Sequence, residues 1–260
     1  GMAEYTGWLL DLYDDPEDGL VLWLLDEHGE RRRLRQDFPV TFYAAGDSPR
    51  LRLLWRWLRG CCPEVKLSRS ERRDLFSEQP CQVLAATVPA PARLPGIFSR
   101  AAQEFPDLTY YDSDIKLPLR HAARWGTFPL AHCRVQVDAE DRVLDITPLD
   151  TPWELDPPPP PLRIMAIQPD EDPGHAPPRR LTVQCQGLTY TLALQPERAL
   201  LINLAALLRR HDPDLLLCGW GDTWLLPLLL DLSAALEIPL PLNRESRRPP
   251  IRRKQHSYFS

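Results

Sequence analysis

Apolar and polar positions alternate along residues 6–45, and the alternation breaks at turn-forming residues. Residues 8–13 and 20–25 are rich in Trp, Leu and Val, and residues 14–19 put Asp, Pro and Gly between them. This pattern predicts two strands joined by a turn. His28-Gly29-Glu30 turns the chain into a third strand over 31–34. Residues 40–44 read as a fourth, completing one small antiparallel meander. Ser48-Pro49 then opens a helix, with Ser as N-cap and Pro in the first helical position. Leu51, Leu54, Trp55 and Leu58 follow at i, i+3, i+4 and i+7, one apolar stripe, and Gly60 ends the helix. Arg50, Arg52, Arg56 and Arg59 cover the other faces and read as solvated partners of an amphipathic helix, ahead of a DNA contact. Further along come a strand at 82–88, helices at 93–104 and 118–125, and a hairpin at 132–138 and 142–146.

The pattern then changes. Residues 156–161, Asp followed by five prolines, are extended polyproline II, a stiff spacer. Beyond it an apolar strand at 162–167 precedes a polar, proline-containing loop at 170–180. A hairpin (181–186 and 188–194) turns at Gly187. A helix over 197–210 carries Leu200, Leu201, Leu204 and Leu208 on one face. A buried strand (215–218) and a helix (225–236) follow. This succession predicts an α/β (α+β) chain: a mixed, β-rich N-terminal domain at 2–150, a proline-rich linker at 151–161, and a second domain at 162–260 with a mixed sheet flanked by helices. The second domain reads as truncated at its C-terminus, and Gly1 as an expression scar.

Composition narrows the classes. The chain has 260 residues and a formal net charge of −5, which argues against a dedicated basic nucleic-acid binder. The charge is uneven, however. Arg244, Arg247, Arg248, Arg252, Arg253 and Lys254 face a single acid, Glu245. This run reads as phosphate contacts or as a solvated connector broken by Pro249-Pro250. None of the six cysteines forms CxxC; they read as reduced thiols of a cytoplasmic protein. No secretory leader is read. The most apolar stretch, 224–242, is interrupted by three prolines and two acids, a buried helix and turn rather than a membrane span. No membrane partner is expected.

Three segments resemble family B DNA polymerases. Residues 8–13 with Phe38-Pro39-Val40-Thr41-Phe42-Tyr43 are similar to the opening of that family's N-terminal β domain. Leu108-Thr109-Tyr110-Tyr111-Asp112-Ser113-Asp114-Ile115, continued by Arg120, Trp125 and Gly126, is similar to the segment leading into its exonuclease domain. Asp212-Pro213-Asp214-Leu215-Leu216-Leu217 with Gly221-Asp222 and Leu225-Leu226-Pro227 resembles the second exonuclease motif and its preceding strand. Leu236-Glu237-Ile238-Pro239-Leu240 and Asn243-Arg244-Glu245 extend it. The resemblance implies a ribonuclease-H-like 3'-5' exonuclease fold after 161. It also implies DNA as partner, single-stranded or primer-template, and a following DNA-directed polymerase domain in the same or a separate chain.

The chemistry departs from that family. Its exonucleases hold two divalent cations with acidic ligands, and hard cations close to one phosphate demand anionic oxygens. The first-motif Asp falls on Gln168 and the Glu on Asp170. The second-motif Phe-Asp falls on Trp224-Leu225, and the nearby Asn on Trp220. No catalytic site, metal or cofactor is therefore expected, and a non-catalytic DNA-binding or scaffolding module for replication or repair is the primary expectation. The alternative is a Mg²⁺- or Mn²⁺-dependent 3'-5' exonuclease using the residual acids Asp170 and Asp222. On the structural reading, Asp222 merely caps the helix that follows. A further alternative, an unrelated interaction protein, makes the proline run a partner ligand. Trp220, between two glycines, and the basic residues 244–254 are the DNA-binding candidates, aromatic faces being suited to stacking on bases.

Overall fold

The computed structural model describes residues 1–73, 79–245 and 248. The chain forms two compact units, Gly1–Pro160 and Pro161–Ser260.

In the first unit, β1 (Ala3–Asp15), β2 (Gly19–Asp26) and β3 (Arg31–Gln36) form the expected hairpins. Gly7 is required where β1 meets β2: a Cβ there would lie 2.2 Å from the Leu25 carbonyl oxygen. Buried Asp26 fixes the β2–β3 turn, its Oδ1 accepting the N–H groups of His28 and Glu30 at 2.9 Å. Burial pushes the Asp26 carboxyl up, but the Glu30 N–H, the Arg32 side chain and the His28 N–H together hold it below the usual range.

β4 (Val40–Ala45) does not continue the meander. Pro39 has no N–H to give a ladder and breaks the chain away after Gln36. The strand opens a second sheet, followed by α1 (Ser48–Cys61), β5 (Lys66–Arg73), β6 (Pro80–Val88), a 3₁₀ turn (Pro91–Arg93), α2 (Leu94–Glu104) and β7 (Thr109–Tyr111). The sheet order β5-β6-β4-β7, antiparallel throughout, is the split βαβ arrangement. Asp47, not Ser48, occupies the N-cap of α1, without a side-chain hydrogen bond, and the helix continues through Gly60 to Cys61. Leu54 and Leu58 are fully buried, as the stripe predicts. After α3 (Leu117–Trp125), β8 (His132–Val137) and β9 (Val143–Pro148) return to the first sheet, in the order β3-β2-β1-β8-β9. His121 of α3 is completely buried, between the Thr127 hydroxyl at 2.6 Å and Gln36 Oε1 at 2.8 Å.

In the second unit, β10 (Ile164–Pro169), β11 (Arg180–Cys185) and β12 (Leu188–Ala193) precede α4 (Glu197–His211) and β13 (Leu215–Cys218). The sheet is mixed, β12-β11-β10-β13, with β10 and β13 parallel. Gln186 and Gly187 both take positive φ in the two-residue β11–β12 turn, as a tight hairpin requires. One face, with Met165, Ile167, Leu181 and Val183, belongs to a core shared with Leu200, Leu201, Leu204 and Leu208 of α4. On the other face Ile164, Leu215 and Leu217 stay exposed. The expected helix from Leu225 begins instead with a π turn, Gly221–Leu225, leading into α5 (Leu226–Leu236). Trp220 is left-handed (φ 55°), and its carbonyl accepts from both Trp224 and Leu225 at 3.0 and 2.9 Å, which widens the turn.

Candidate functional site

Parallel pairing brings the ends of β10 and β13 together. Ile167 is in register with Cys218, and the Gly219 N–H donates to the Ile167 carbonyl at 2.9 Å. A Cβ on Gly219 would meet Pro169 Cδ at 3.4 Å and Gln168 Cδ at 3.7 Å, so Gln168 and the Gly219–Trp220–Gly221 turn are neighbours. The carboxyl ends of parallel strands are where open α/β sheets keep their ligand crevices. The fold therefore sets Gln168 beside the turn that leads into Trp224 and Leu225, and the side chains decide what chemistry is available there.

Gln168 is exposed and offers a neutral amide. Leu225 is 0% exposed and belongs to the core of the unit, an aliphatic packed among aliphatics. Asp170 is exposed, but its Oδ1 accepts from the Arg179 N–H at 2.9 Å and the Arg180 N–H at 3.2 Å. The Arg179 N–H, with smaller help from Arg180, holds this carboxyl below its ordinary value. Asp170 thus clasps the two ends of the 170–180 loop. Within the loop Asp172 accepts from the Gly174 N–H at 2.8 Å and meets His175 Nδ1 at 2.7 Å. Glu171 is exposed. Asp222 makes no capping hydrogen bond to the π turn or to α5, contrary to the capping role expected of it. Its charge adds to burial in pushing up the Cys218 thiol. Among the described residues no three His, Cys, Asp or Glu side chains converge as a metal site. One neutral amide, one buried aliphatic and one acid bound to backbone N–H groups do not fit a pair of divalent cations.

A cavity of about 730 Å³ opens beside this turn, lined by Pro177, Arg179, Leu194, Glu197, Trp224 and Leu232 among others. Trp224 lines it half-buried, whereas Trp220 is 49% exposed. The sequence offered one signal for the cavity, the long polar loop between two strands, but not the residues that close it from α4 and α5.

The basic candidates separate. Arg244 is engaged internally: its Nε meets Asp212 Oδ1 at 2.9 Å, and Nη2 meets Asp214 Oδ1 at 2.5 Å. The Asp214 side chain is 0% exposed, and its Oδ2 also accepts the Arg163 N–H at 2.7 Å. This clamp ties the starts of β10 and β13 to the chain beyond α5. Arg248 donates its N–H to the Glu245 carbonyl at 3.1 Å, and its own carbonyl accepts from Asn243 Nδ2 at 2.6 Å. Arg247, Arg252, Arg253 and Lys254 lie outside the described residues. No helix among the described residues is long and apolar enough to cross a membrane.

No family model and no curated protein matches the chain. Among solved structures, the family B DNA polymerase from the hyperthermophilic archaeon Pyrobaculum calidifontis is similar, with a TM-score of 0.66 and 21% identity, over 92% of this chain and 33% of that chain. At that identity the likeness establishes the fold. The chain spans about a third of the polymerase it matches, and its mixed α/β architecture is one found within a family B polymerase.

Proposed function

We propose that this chain is a non-catalytic module of family B DNA polymerase type, a β-rich N-terminal domain with a degenerate exonuclease-like domain. In this reading it holds single-stranded or primer-template DNA, or scaffolds a polymerase domain in the same or a separate chain, during replication or repair. Such a module works in the cytoplasm, in keeping with six free cysteines.

The observation that carries the reading is the substitution of charge at the strand ends. Hydrolysis of a phosphodiester by paired cations requires them to sit about 3.5–4 Å apart, one beside the attacking and one beside the leaving oxygen. Their mutual repulsion must be offset by several anionic ligands. Gln168 brings no charge, and Leu225 is sealed in the core. What is left at the same place is an aromatic, Trp220, and an open turn, features suited to holding a base.

A second reading keeps the nuclease and uses Asp170 with Asp222. Its support is that Asp170 stays ionised at the end of β10. Against it, the same carboxylate already serves two backbone N–H groups. One experiment separates the readings. End-labelled single-stranded DNA is incubated with the chain and Mg²⁺ or Mn²⁺, and binding and shortening are followed together. The module is expected to bind without shortening the strand. Metal-dependent shortening that disappears in Asp170→Ala and Asp222→Ala would replace the first reading by the second.

A further inference from the structure

Away from the strand ends of the second unit, the first unit carries a groove of about 430 Å³ between α1 and the β5–β6 hairpin. Arg52 and Arg56 line it from α1, one turn apart on one face, and Arg69 lines it from β5; Trp55, Ser48 and Gln82 add polar and aromatic surface, and Leu51, Val83 and Leu84 form an apolar floor. All three arginines are exposed, and Trp55 is half-buried. Among the described residues none of the three has a carboxylate partner, whereas Arg50 on the same helix is satisfied by Asp107 at 2.8 Å. The one acid of β5, Glu71, accepts from Gln82 Nε2 at 2.6 Å and forms no ion pair with the three; its single charge leaves the groove net positive. In a chain of net charge −5, α1 contains four arginines and no acid.

Three unpaired guanidinium groups around one concavity repel one another and raise a local positive potential, which an anion relieves. Guanidinium is the side chain that best matches phosphate, through its planar fork of donors. The half-buried indole adds a π face, and aromatic faces are worth about 1–3 kcal/mol per stacked base. A base reaches that face only if it is unpaired, and a peptide of acidic side chains alone has no aromatic ring to stack on it.

We propose that this groove binds the sugar–phosphate backbone of a single DNA strand, with Arg52, Arg56 and Arg69 on phosphates and one base against Trp55. The proposal rests on the DNA-holding reading above and gives it a second, separate contact surface. The sequence pattern had these helix arginines as solvated; the change comes from Arg69, which the fold brings across from β5.

The test is fluorescence anisotropy of a labelled oligothymidylate titrated with the whole chain at several salt concentrations. The triple variant Arg52→Gln/Arg56→Gln/Arg69→Gln is expected to bind at least tenfold more weakly. Its log affinity against log salt should be shallower by about 2, from roughly 0.7 per phosphate lost. Arg→Lys at the same three positions should recover most of the affinity, which shows that charge rather than misfolding is responsible, and Trp55→Phe should weaken binding without changing the salt slope. If the native chain binds and the triple Gln variant binds equally well, the groove proposal is overturned while the DNA-holding reading stands. If the native chain takes polyglutamate but not the oligonucleotide, the groove belongs to acidic peptides and the proposal is wrong. If it takes neither, both readings fall.

Discussion

His121 shows how a single buried group sets a pH dependence. Burial pushes its imidazole down to about 4 from an ordinary 6.5. The unfolded chain therefore binds a proton between those values that the folded chain refuses. Stability is fully present above pH 6.5 and is lost as pH falls towards 4, by about 3 kcal/mol for a shift of this size. Urea unfolding between pH 7 and pH 4 should show this fall in midpoint, and His121→Gln, which keeps a hydrogen-bonding amide but cannot titrate, should flatten it. At the same scale, the neutral amide of Gln168 and the aliphatic chain of Leu225 are plain from the sequence. The π turn that carries Leu225 was not, because it follows from the left-handed backbone of Trp220, which no periodicity marks. The clasp of Asp170 on Arg179 and Arg180 was also illegible, since it joins the two ends of a loop that carries no periodic signal.

Between elements, the ion pairs at the base of the second sheet matter more than their number suggests. Asp214, with no exposed side-chain surface, joins the N–H of Arg163 to the guanidinium of Arg244. Removing it takes the acceptor from the Arg163 N–H, while Arg244 keeps Asp212 Oδ1 and the Asp212 carbonyl as partners; breaking a fully buried pair costs about 3–5 kcal/mol. Because Arg244 is 20% exposed and can turn to water, Asp214→Ala is expected near the lower figure, read as a fall in thermal midpoint. Glu171→Ala, an exposed acid outside this clamp, should change it little. Among the elements, strands with an apolar face were readable from alternation: β1, β2 and β8 to β12 lie close to where the pattern put them. β5 was not seen, because Lys66–Arg73 sits at a sheet edge with every residue exposed or only partly covered, so no hydrophobic period marks it. β4 was seen as a strand but put in the wrong sheet, since alternation gives a strand its faces and not its neighbours.

For the molecule as a whole, the two compact units differ in kind: one built from two antiparallel sheets, the other from one mixed sheet and its helices. Between β9 and β10 the chain is nearly free of cover, with Trp153 86% exposed and Leu155 98% exposed. Brief chymotrypsin treatment should cut at these two residues before any other site among the described residues. It should leave two fragments that keep their far-ultraviolet circular dichroism, as exposed, hydrogen-bond-poor backbone is what proteases nick first. Loss of structure in both fragments on cleavage would mean that neither core is sufficient alone. The fold class was legible because strand and helix periods are carried by long apolar runs. The groove between α1 and β5 was not, because its arginines come from elements whose meeting is a tertiary event.

β13 has a consequence beyond its part in the strand-end turn. It borders its sheet, and beside its outer ladder of amide groups Leu215 and Leu217 face water together with Ile164. Unpaired rungs flanked by greasy side chains are a template for adding another strand. Among the described residues this border is thus the likeness of a zip left open, and crowding the molecule at high concentration invites it to close on a neighbouring copy.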